Sequence, residues 1–506
     1  MKKRKITGLV LCFCLIIVLL YGCKSHSEPT SKDKTTHTTV EPNNEDNDSK
    51  DVEKSQEDDI ITLTLVEKDF MPSNPDDLEY IDEINSALSE NGIKAKLKLV
   101  QLPQGSYSEK IDELITDGNI PDIIWFRDGI DKKYAEQGML VDLTDYINDS
   151  KVLGKAMEEY NKSRIDSYPY LLRIRYNTPK LAVVRKDWLD ELELPIPKTV
   201  QDYYTVLSAF ANSDFDHNGE KDTYGVTVTG DTDRLDDIFN AAFSMPTTWI
   251  KDETGKYIYS KVSWCEKEKL AFYRKLVEEK ILDPDYAVTK WDSMEEKLYT
   301  GKAGMIIGSA GKVIEIYNNK LKNAGIETNL IPLDPPIGNS GNGLAPVDIT
   351  REDKGFAISN QCEHKDLAFR VLEFMASDEG QLLDRLGIEG RDYTIDGYGN
   401  VTRTKKGKEW YARFFDVPSW ESPVPLLSDI AQESLDIASR YYTEDINFEI
   451  PKEYSTNWDE MTGLYKEYSY KIINGEIGIE KFDEFVEKWY KAGGEEITEL
   501  AQEKLK

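Results

Sequence analysis

Between Ile60 and Phe126 short β-prone apolar runs alternate with stretches of helical spacing, and that alternation admits few folds. Ile60 to Val66 reads as a strand. Leu78 to Ser89 sets Ile81, Ile84 and Leu88 on one helical face and stops at Asn91-Gly92. Lys96 to Val100 alternates as a second strand, Ser108 to Thr116 is helical, and Pro121 to Phe126 is a third strand. A β-α-β-α-β order calls for a largely parallel sheet, so this part is an α/β lobe. Ligands of such sheets bind outside the carboxyl ends of the strands, where Trp125, Arg127 and Asp128 stand. At 506 residues the chain is too long for one small core, and two lobes are expected.

Leu181 to Gly225 has a second organised stretch. Leu181 to Val184 is a short apolar strand, and Lys186 to Leu189 opens a helix that Pro195 and Pro197 forbid from continuing. Thr199 caps a further helix through Phe210, with Tyr203, Val206, Leu207 and Phe210 at near-helical spacing. Then comes a loop in which Asp214, Asp216, Asn218, Glu220 and Asp222 recur at every second residue around Gly219. Oxygen ligands at positions 1, 3, 5, 7 and 9 suit a calcium ion, with position 7 supplying its backbone carbonyl. Position 12 is Gly225, so the bidentate glutamate of an EF-hand is missing. The spacing predicts a structural calcium site outside an EF-hand; the alternative is an Asn-Gly turn with a solvated acidic rim.

The phrase VVRKDWLDELELPIPKTVQDYYTVLSAF, followed by DFDHNGEKDTYG, resembles family 1 extracellular solute-binding proteins, the lipid-anchored receptors of ABC importers in Gram-positive bacteria. GNIPDII (118–124), YAEQGMLVDLTDYI (134–147), YTGKAGMI (299–306), LGIEGRDYTID (386–396) and INGEIGIEKFDEFVEKWYKAGGEEI (473–497) are similar to that family in the same order. The resemblance implies an α/β, two-lobe, periplasmic-binding-protein-like fold with a hinge and an interlobe ligand cleft. Lobe 1 then comprises 59–180 plus 345–404, and lobe 2 comprises 181–344 plus 405–506 with the calcium loop at 214–222. It also implies a monomer without catalytic residues that closes on a carbohydrate and docks on the transmembrane subunits of an ABC permease. Cys265 and Cys362 fall in different lobes under this layout. A disulfide there would lock the hinge, so two buried free thiols are expected.

Residues 1–22 have a basic start and an apolar run from Leu9 to Leu20, the pattern of a secretory signal. Leu20-Tyr21-Gly22-Cys23 resembles a lipobox, with Tyr21 larger than the usual residue there. Cys23 is thus expected to carry diacylglycerol and anchor the chain to the outer face of the cytoplasmic membrane. Residues 23–58 are polar and charged with few apolar side chains, the composition of a disordered tether. The net charge of −31 excludes nucleic-acid binding by phosphate neutralisation. It also disfavours acidic uronate ligands unless a local basic pocket intervenes. No CxxC occurs and the four histidines do not cluster, so zinc is not indicated.

Nine tryptophans and 28 tyrosines offer rings for stacking on sugar faces, with polar side chains for the hydroxyls. Candidates in loops near strand ends are Trp125, Asp128, Tyr168, Tyr170, Trp249, Trp291 and Trp420, while Trp188 and Trp489 read as structural. The best reading is a lipoprotein receptor for oligosaccharide import. A receptor for peptides or other small solutes, and an accessory that presents ligand to a membrane kinase, share the same features. A surface glycoside hydrolase needs a carboxylate pair in a cleft, and no acid/base motif is visible.

Overall fold

The computed structural model describes residues 60–505 except 104, 105, 158, 177, 216, 217, 231, 351 and 353. The expected signal sequence, Cys23, the tether and Asp216 lie outside the described residues.

The first sheet runs in the order Gly355–Ile358, Ile123–Phe126, Ile61–Val66, Ala95–Leu99. Ile61–Val66 pairs in parallel with both Ala95–Leu99 and Ile123–Phe126, and only the late strand Gly355–Ile358 runs antiparallel. Helix Pro75–Glu90 connects the first two strands; its cap is Asn74, whose side chain accepts the Asp76 N–H, and Pro75 supplies a preset φ at the first turn. Tyr80, Ile81, Ile84 and Leu88 of this helix are buried against the sheet. The α/β expectation for this lobe therefore holds, with elements one to three residues longer or shorter than the periodicity indicates.

The second sheet has the order Tyr224–Thr227, Ala303–Ser309, Lys180–Arg185, Leu330–Pro332. Lys180–Arg185 is antiparallel to both its neighbours, whereas Tyr224–Thr227 and Ala303–Ser309 are parallel. Trp188 and Phe210 pack on this sheet over Gly304, where a Cβ would lie 2.6 and 2.3 Å from their rings. Behind the sheet the long helices Trp264–Glu278, Ser455–Ile473 and Lys481–Trp489 fill out a larger core that includes Trp249, Tyr273, Phe485 and Trp489.

Two main cores thus exist, one on each sheet, and the chain changes sides more than once. The final return comes later than Thr404. Trp410, Phe414, Phe415 and Val417 belong to the core of the first sheet, and Leu435 is the first fully committed residue of the second. The aromatic run between 410 and 415 packs on Phe356 and Tyr80, whose rings lie 5.2 Å from Phe414 and 4.8 Å from Trp410. Cys265 and Cys362 are free, as expected; Cys362 is buried in the first core, but Cys265 is only half-buried at the start of helix Trp264–Glu278. Among the described residues no helix is long and apolar enough to cross a membrane.

Candidate ligand-binding cleft

A cavity of about 370 Å³ opens between the two cores. One wall comes from the first core: Glu67 just past strand Ile61–Val66, Trp125 in strand Ile123–Phe126, and the loop Trp410–Asp416. The other comes from the second: Lys312 in the first turn of helix Lys312–Asn323, with Leu427 and Tyr176, which pack on that core. Arg173, Arg175 and Tyr176 stand on the extended segment that carries the chain from one core to the other. The position of Glu67 and Trp125 agrees with the rule that α/β sheets bind ligands beyond their strand ends.

The loop Trp410–Asp416 is held by one buried helix face. Gln381 and Asp384 sit one turn apart on helix Asp378–Leu386 and are both fully buried. Asp384 accepts four hydrogen bonds: Oδ1 from Tyr80 Oη and the Arg413 N–H, each at 2.9 Å, and Oδ2 from the Phe414 and Phe415 N–H groups at 3.0 Å. Its own carbonyl accepts Trp410 Nε1 at 2.8 Å. Gln381 continues the fastening, donating to the Phe415 carbonyl and accepting the Val417 N–H at 3.1 Å. Burial pushes the Asp384 carboxyl up, and the donated hydrogen bonds oppose that rise. A loop so fastened presents its aromatic and cationic side chains to the cavity in a preset arrangement.

Guanidinium groups dominate the polar lining. Arg413 lies 4.7 Å from the Trp410 ring and 5.4 Å from Tyr411, and its Nη2 is 3.3 Å from Asp77. Arg385 pairs with Asp416 at 2.8 Å and covers both Tyr176 and Trp420 at 5.8 Å. Arg403 ends strand Val401–Arg403 and donates to the backbone carbonyls of Leu426 and Gly407. Arg175 is 3.9 Å from the buried Glu352, which Arg164 holds at 2.8 Å. Lys312 is paired within its own helix to Glu315. Glu67 is nearly inaccessible; burial and the neighbouring Asp69 push its carboxyl up to about 8, against the pull of Lys68 and Arg413.

The sequence candidates distribute unevenly around this cavity. Trp125 lines it, and Trp420 flanks it in an adjoining groove under Arg385. Asp128 is exposed at the end of its strand, accepts Ser108 Oγ at 2.7 Å, and does not line the cavity. Tyr168 and Tyr170 stack edge-on at 5.3 Å within the first lobe, and Tyr168 donates to Asp131 at 2.7 Å. Trp291, the first residue of its helix, donates its indole N–H to the Glu295 side chain one turn on at 2.6 Å, outside the cavity lining. Trp249 is corrected outright: it is wholly buried in the second core against Tyr259 and Phe448, with no surface left for a ligand. Sequence reasoning missed the arginines and the Trp410-Tyr411 pair. The available signals were RIRY at 173–176 and WYARFF at 410–415, two short runs that bring arginines beside aromatic rings in a chain of opposite net charge.

The acidic loop adopts a tight turn. Asp214 accepts the Asn218 and Gly219 N–H groups at 3.1 and 2.8 Å, and Asn218 Oδ1 accepts the Glu220 N–H at 2.7 Å. Gly219 takes a φ of +86°, which suits the sixth position of a calcium loop. Asp222 is bonded to Lys302 Nζ at 2.6 Å. A side chain at position 12 is sterically impossible, because a Cβ on Gly225 would lie 2.4 Å from the Leu207 carbonyl oxygen. Among the described residues no three His, Cys, Asp or Glu side chains are clustered for a metal.

The comparisons with known proteins agree with this architecture. The family model for bacterial extracellular solute-binding proteins matches residues 74–382. The polygalacturonan/rhamnogalacturonan-binding protein YtcQ of Bacillus subtilis is 27% identical over 451 residues, covering 81% of this chain and 86% of its own length. The N-glycan transport solute-binding protein NgtS of Streptococcus pneumoniae superposes with a TM-score of 0.63 at 16% identity, over 88% of this chain and 97% of its own. An EF-hand mutant of the S. pneumoniae ABC-transporter substrate-binding protein FusA, in complex with fructo-nystose, superposes with a TM-score of 0.59 at 19% identity, over 87% and 98%. With more than half its length matched by that family model and a cleft between two cores, the chain belongs to the bacterial extracellular solute-binding proteins.

Proposed function

We propose that this chain is the ligand-capturing receptor of an ABC importer, that its ligand is an oligosaccharide, and that it binds without cleaving. The observation that carries this is the cavity between the cores, where Trp125, Tyr176, Trp410 and Tyr411 stand among guanidinium donors. Flat rings suit the C–H faces of pyranoses, and N–H donors suit the oxygens between those faces. A volume of about 370 Å³ is at the lower end of the range for small-molecule sites and suits a short segment of glycan. A ligand touching both walls favours the closed arrangement by the contacts it makes there and lacks in the open one. The closed receptor then docks on the permease. The relatives are described as binding glycans of several kinds, which supports the sugar class and leaves the particular sugar open.

Cys23 is the proposed anchor, lipidated after removal of residues 1–22, and Cys23→Ser is expected to release the protein into the medium. Calcium is the proposed structural ion of the 214–222 loop, held by the side chains of Asp214, Asp216 and Asn218, the Glu220 carbonyl, and Asp222 directly or through water.

A thermal-shift screen with calcium present tests the receptor reading. A glycan at 100 times its dissociation constant stabilises the fold by about 2.7 kcal/mol. A shift with one glycan class supports the proposal. Shifts with peptides alone, or reducing-sugar release from a polysaccharide, overturn it.

A further inference from the structure

We infer that the oligosaccharide is anionic, a chain of uronic-acid units whose carboxylates are read by Arg175, Arg403 and Arg413. The inference rests on the receptor proposal above and adds the charge of the ligand. The whole chain carries a net charge of −31, so its long-range field repels anions. The cavity has the opposite sign. Seven arginines and lysines line it against three acidic residues, and one of those three, Glu67, is mostly protonated near neutrality. A neutral glycan uses these groups only as hydrogen-bond donors, whereas an anionic one also uses their charge.

The state of the individual donors points the same way. Arg403 has two carbonyl partners and, among the described residues, no carboxylate partner, and its buried Nε has no protein acceptor. Arg413 is held beside Trp410, yet its Nε and Nη1 are buried without a protein acceptor; Arg175 Nε is in the same condition. Buried N–H donors on a cation call for acceptors. A sugar hydroxyl satisfies the hydrogen bond but leaves the charge, which for Arg413 and Arg175 is met in part by Asp77 at 3.3 Å and Glu352 at 3.9 Å and for Arg403, among the described residues, by no paired carboxylate. A carboxylate satisfies both, and its planar pair of oxygens matches the guanidinium fork.

The three arginines come from three different wall segments: the crossing chain, the end of a hairpin strand and the fastened loop. Positive charge is therefore spread along the cavity and interleaved with Trp125, Trp410 and Tyr411. A single small anion uses one focus of donors. A ring-bearing polymer with one carboxylate per unit uses several, with its sugar faces on the rings between them.

The test is calorimetric titration of the purified protein with oligomers of galacturonate, of mannuronate and guluronate, and of glucuronate. Beside them run the same oligomers with every carboxyl methyl-esterified, sulfated and phosphorylated glycans, and neutral gluco-, fructo- and N-glycan oligomers. One uronate series is expected to bind at least ten-fold tighter than its own methyl ester and to weaken as sodium chloride rises. Arg403→Gln is expected to remove most of that ten-fold preference, weakening binding of the acid far more than binding of the ester. Equal binding of acid and ester, or tighter binding of a neutral, sulfated or phosphorylated glycan, overturns the uronate inference and leaves the receptor proposal standing. Binding of no glycan in any series overturns both. The matched acid and ester are compared on the unmodified protein, so the result does not depend on a variant folding.

Discussion

Asp384 and Arg413 are joined through the backbone: the Asp384 carboxylate accepts the Arg413 N–H at 2.9 Å across 29 residues of sequence. The same carboxylate takes Tyr80 and the next two backbone N–H groups, so one buried acid sets the course of the loop that carries Trp410, Tyr411 and Arg413. Replacing it by alanine strands four donors in the interior. Asp384→Ala is expected to lower unfolding stability by on the order of 3 kcal/mol or more, because each orphaned donor keeps its desolvation cost. Asp384→Asn retains one acceptor oxygen and is expected to fall between alanine and the native protein. Urea unfolding of the three proteins measures the order. An alanine variant as stable as the parent refutes the role assigned to Asp384.

Tyr411 separates binding from folding. It is 51% exposed, beside Arg413 and on the cavity, so its ring contributes little to either core. Tyr411→Ala is expected to leave the melting temperature within about 1 °C, since exposed substitutions rarely exceed about 0.5 kcal/mol. Glycan affinity is expected to fall roughly ten-fold, the scale of one lost stacking contact. Trp249→Ala is the opposite control: a wholly buried ring whose loss costs about 3–5 kcal/mol and leaves any residual binding by folded protein unaltered.

The contrast between these two residues shows what was legible. The strands and helices around Ile61, Tyr80 and Leu207 follow from local periodicity, because each burial pattern repeats within a few residues. Trp188 was legible as structural from its place in the RKDWL phrase that resembles the family, and both it and Trp489 are buried on helical faces. Trp249 was not, because the residues that cover it, Tyr259 and Phe448, include one almost 200 positions away. The cavity was the least legible part. Arg175, Arg403 and Arg413 belong to separate segments, and Asp384 in DEGQLLDRLG looks like a surface acid until its four distant donors are seen. The late return of the chain after Trp410 follows from the rings of Phe414 and Phe415 finding Phe356, which no spacing rule announces.

Glu67 makes the cleft sensitive to pH. Its carboxyl is pushed up from 4.5 to about 8 by burial first and the Asp69 charge second, with the hydrogen bond from the Asp69 N–H and then Lys68 and Arg413 opposing. A folded value above the unfolded one means that the native state holds an extra proton between these limits. Stability therefore falls as pH rises through that window and levels off above about 8. Glu67→Gln removes this titration, so its stability advantage over the native protein is expected to grow between pH 6 and pH 9, on the order of a few kcal/mol. Ionised Glu67 also places negative charge beside the arginines, and affinity for an anionic glycan is expected to drop across the same range. Stability profiles of the two proteins that stay parallel from pH 5 to pH 9 contradict the assignment of a protonated Glu67.

The acidic loop is expected to couple calcium to the packing of the second core. Phe215, inside the loop, stacks on Trp188 at 3.7 Å with planes 6° apart, and Thr223 Oγ1 ties the loop's exit to the Phe210 and Ser213 carbonyls at 2.9 Å. An ion gripping Asp214 and Asn218 therefore also holds a ring against the core. External calcium modules bind at about 10⁻⁴ to 10⁻³ M. Calcium at ten times its dissociation constant stabilises a protein that binds it only when folded by about 1.4 kcal/mol. EDTA is expected to lower the melting temperature, calcium to restore it, and magnesium to restore it poorly, because the smaller ion resists dehydration. Asp214→Ala is expected to melt at the EDTA temperature in either condition. A native protein indifferent to EDTA, with no calcium retained after dialysis, identifies the loop as an Asn-Gly turn with a solvated rim.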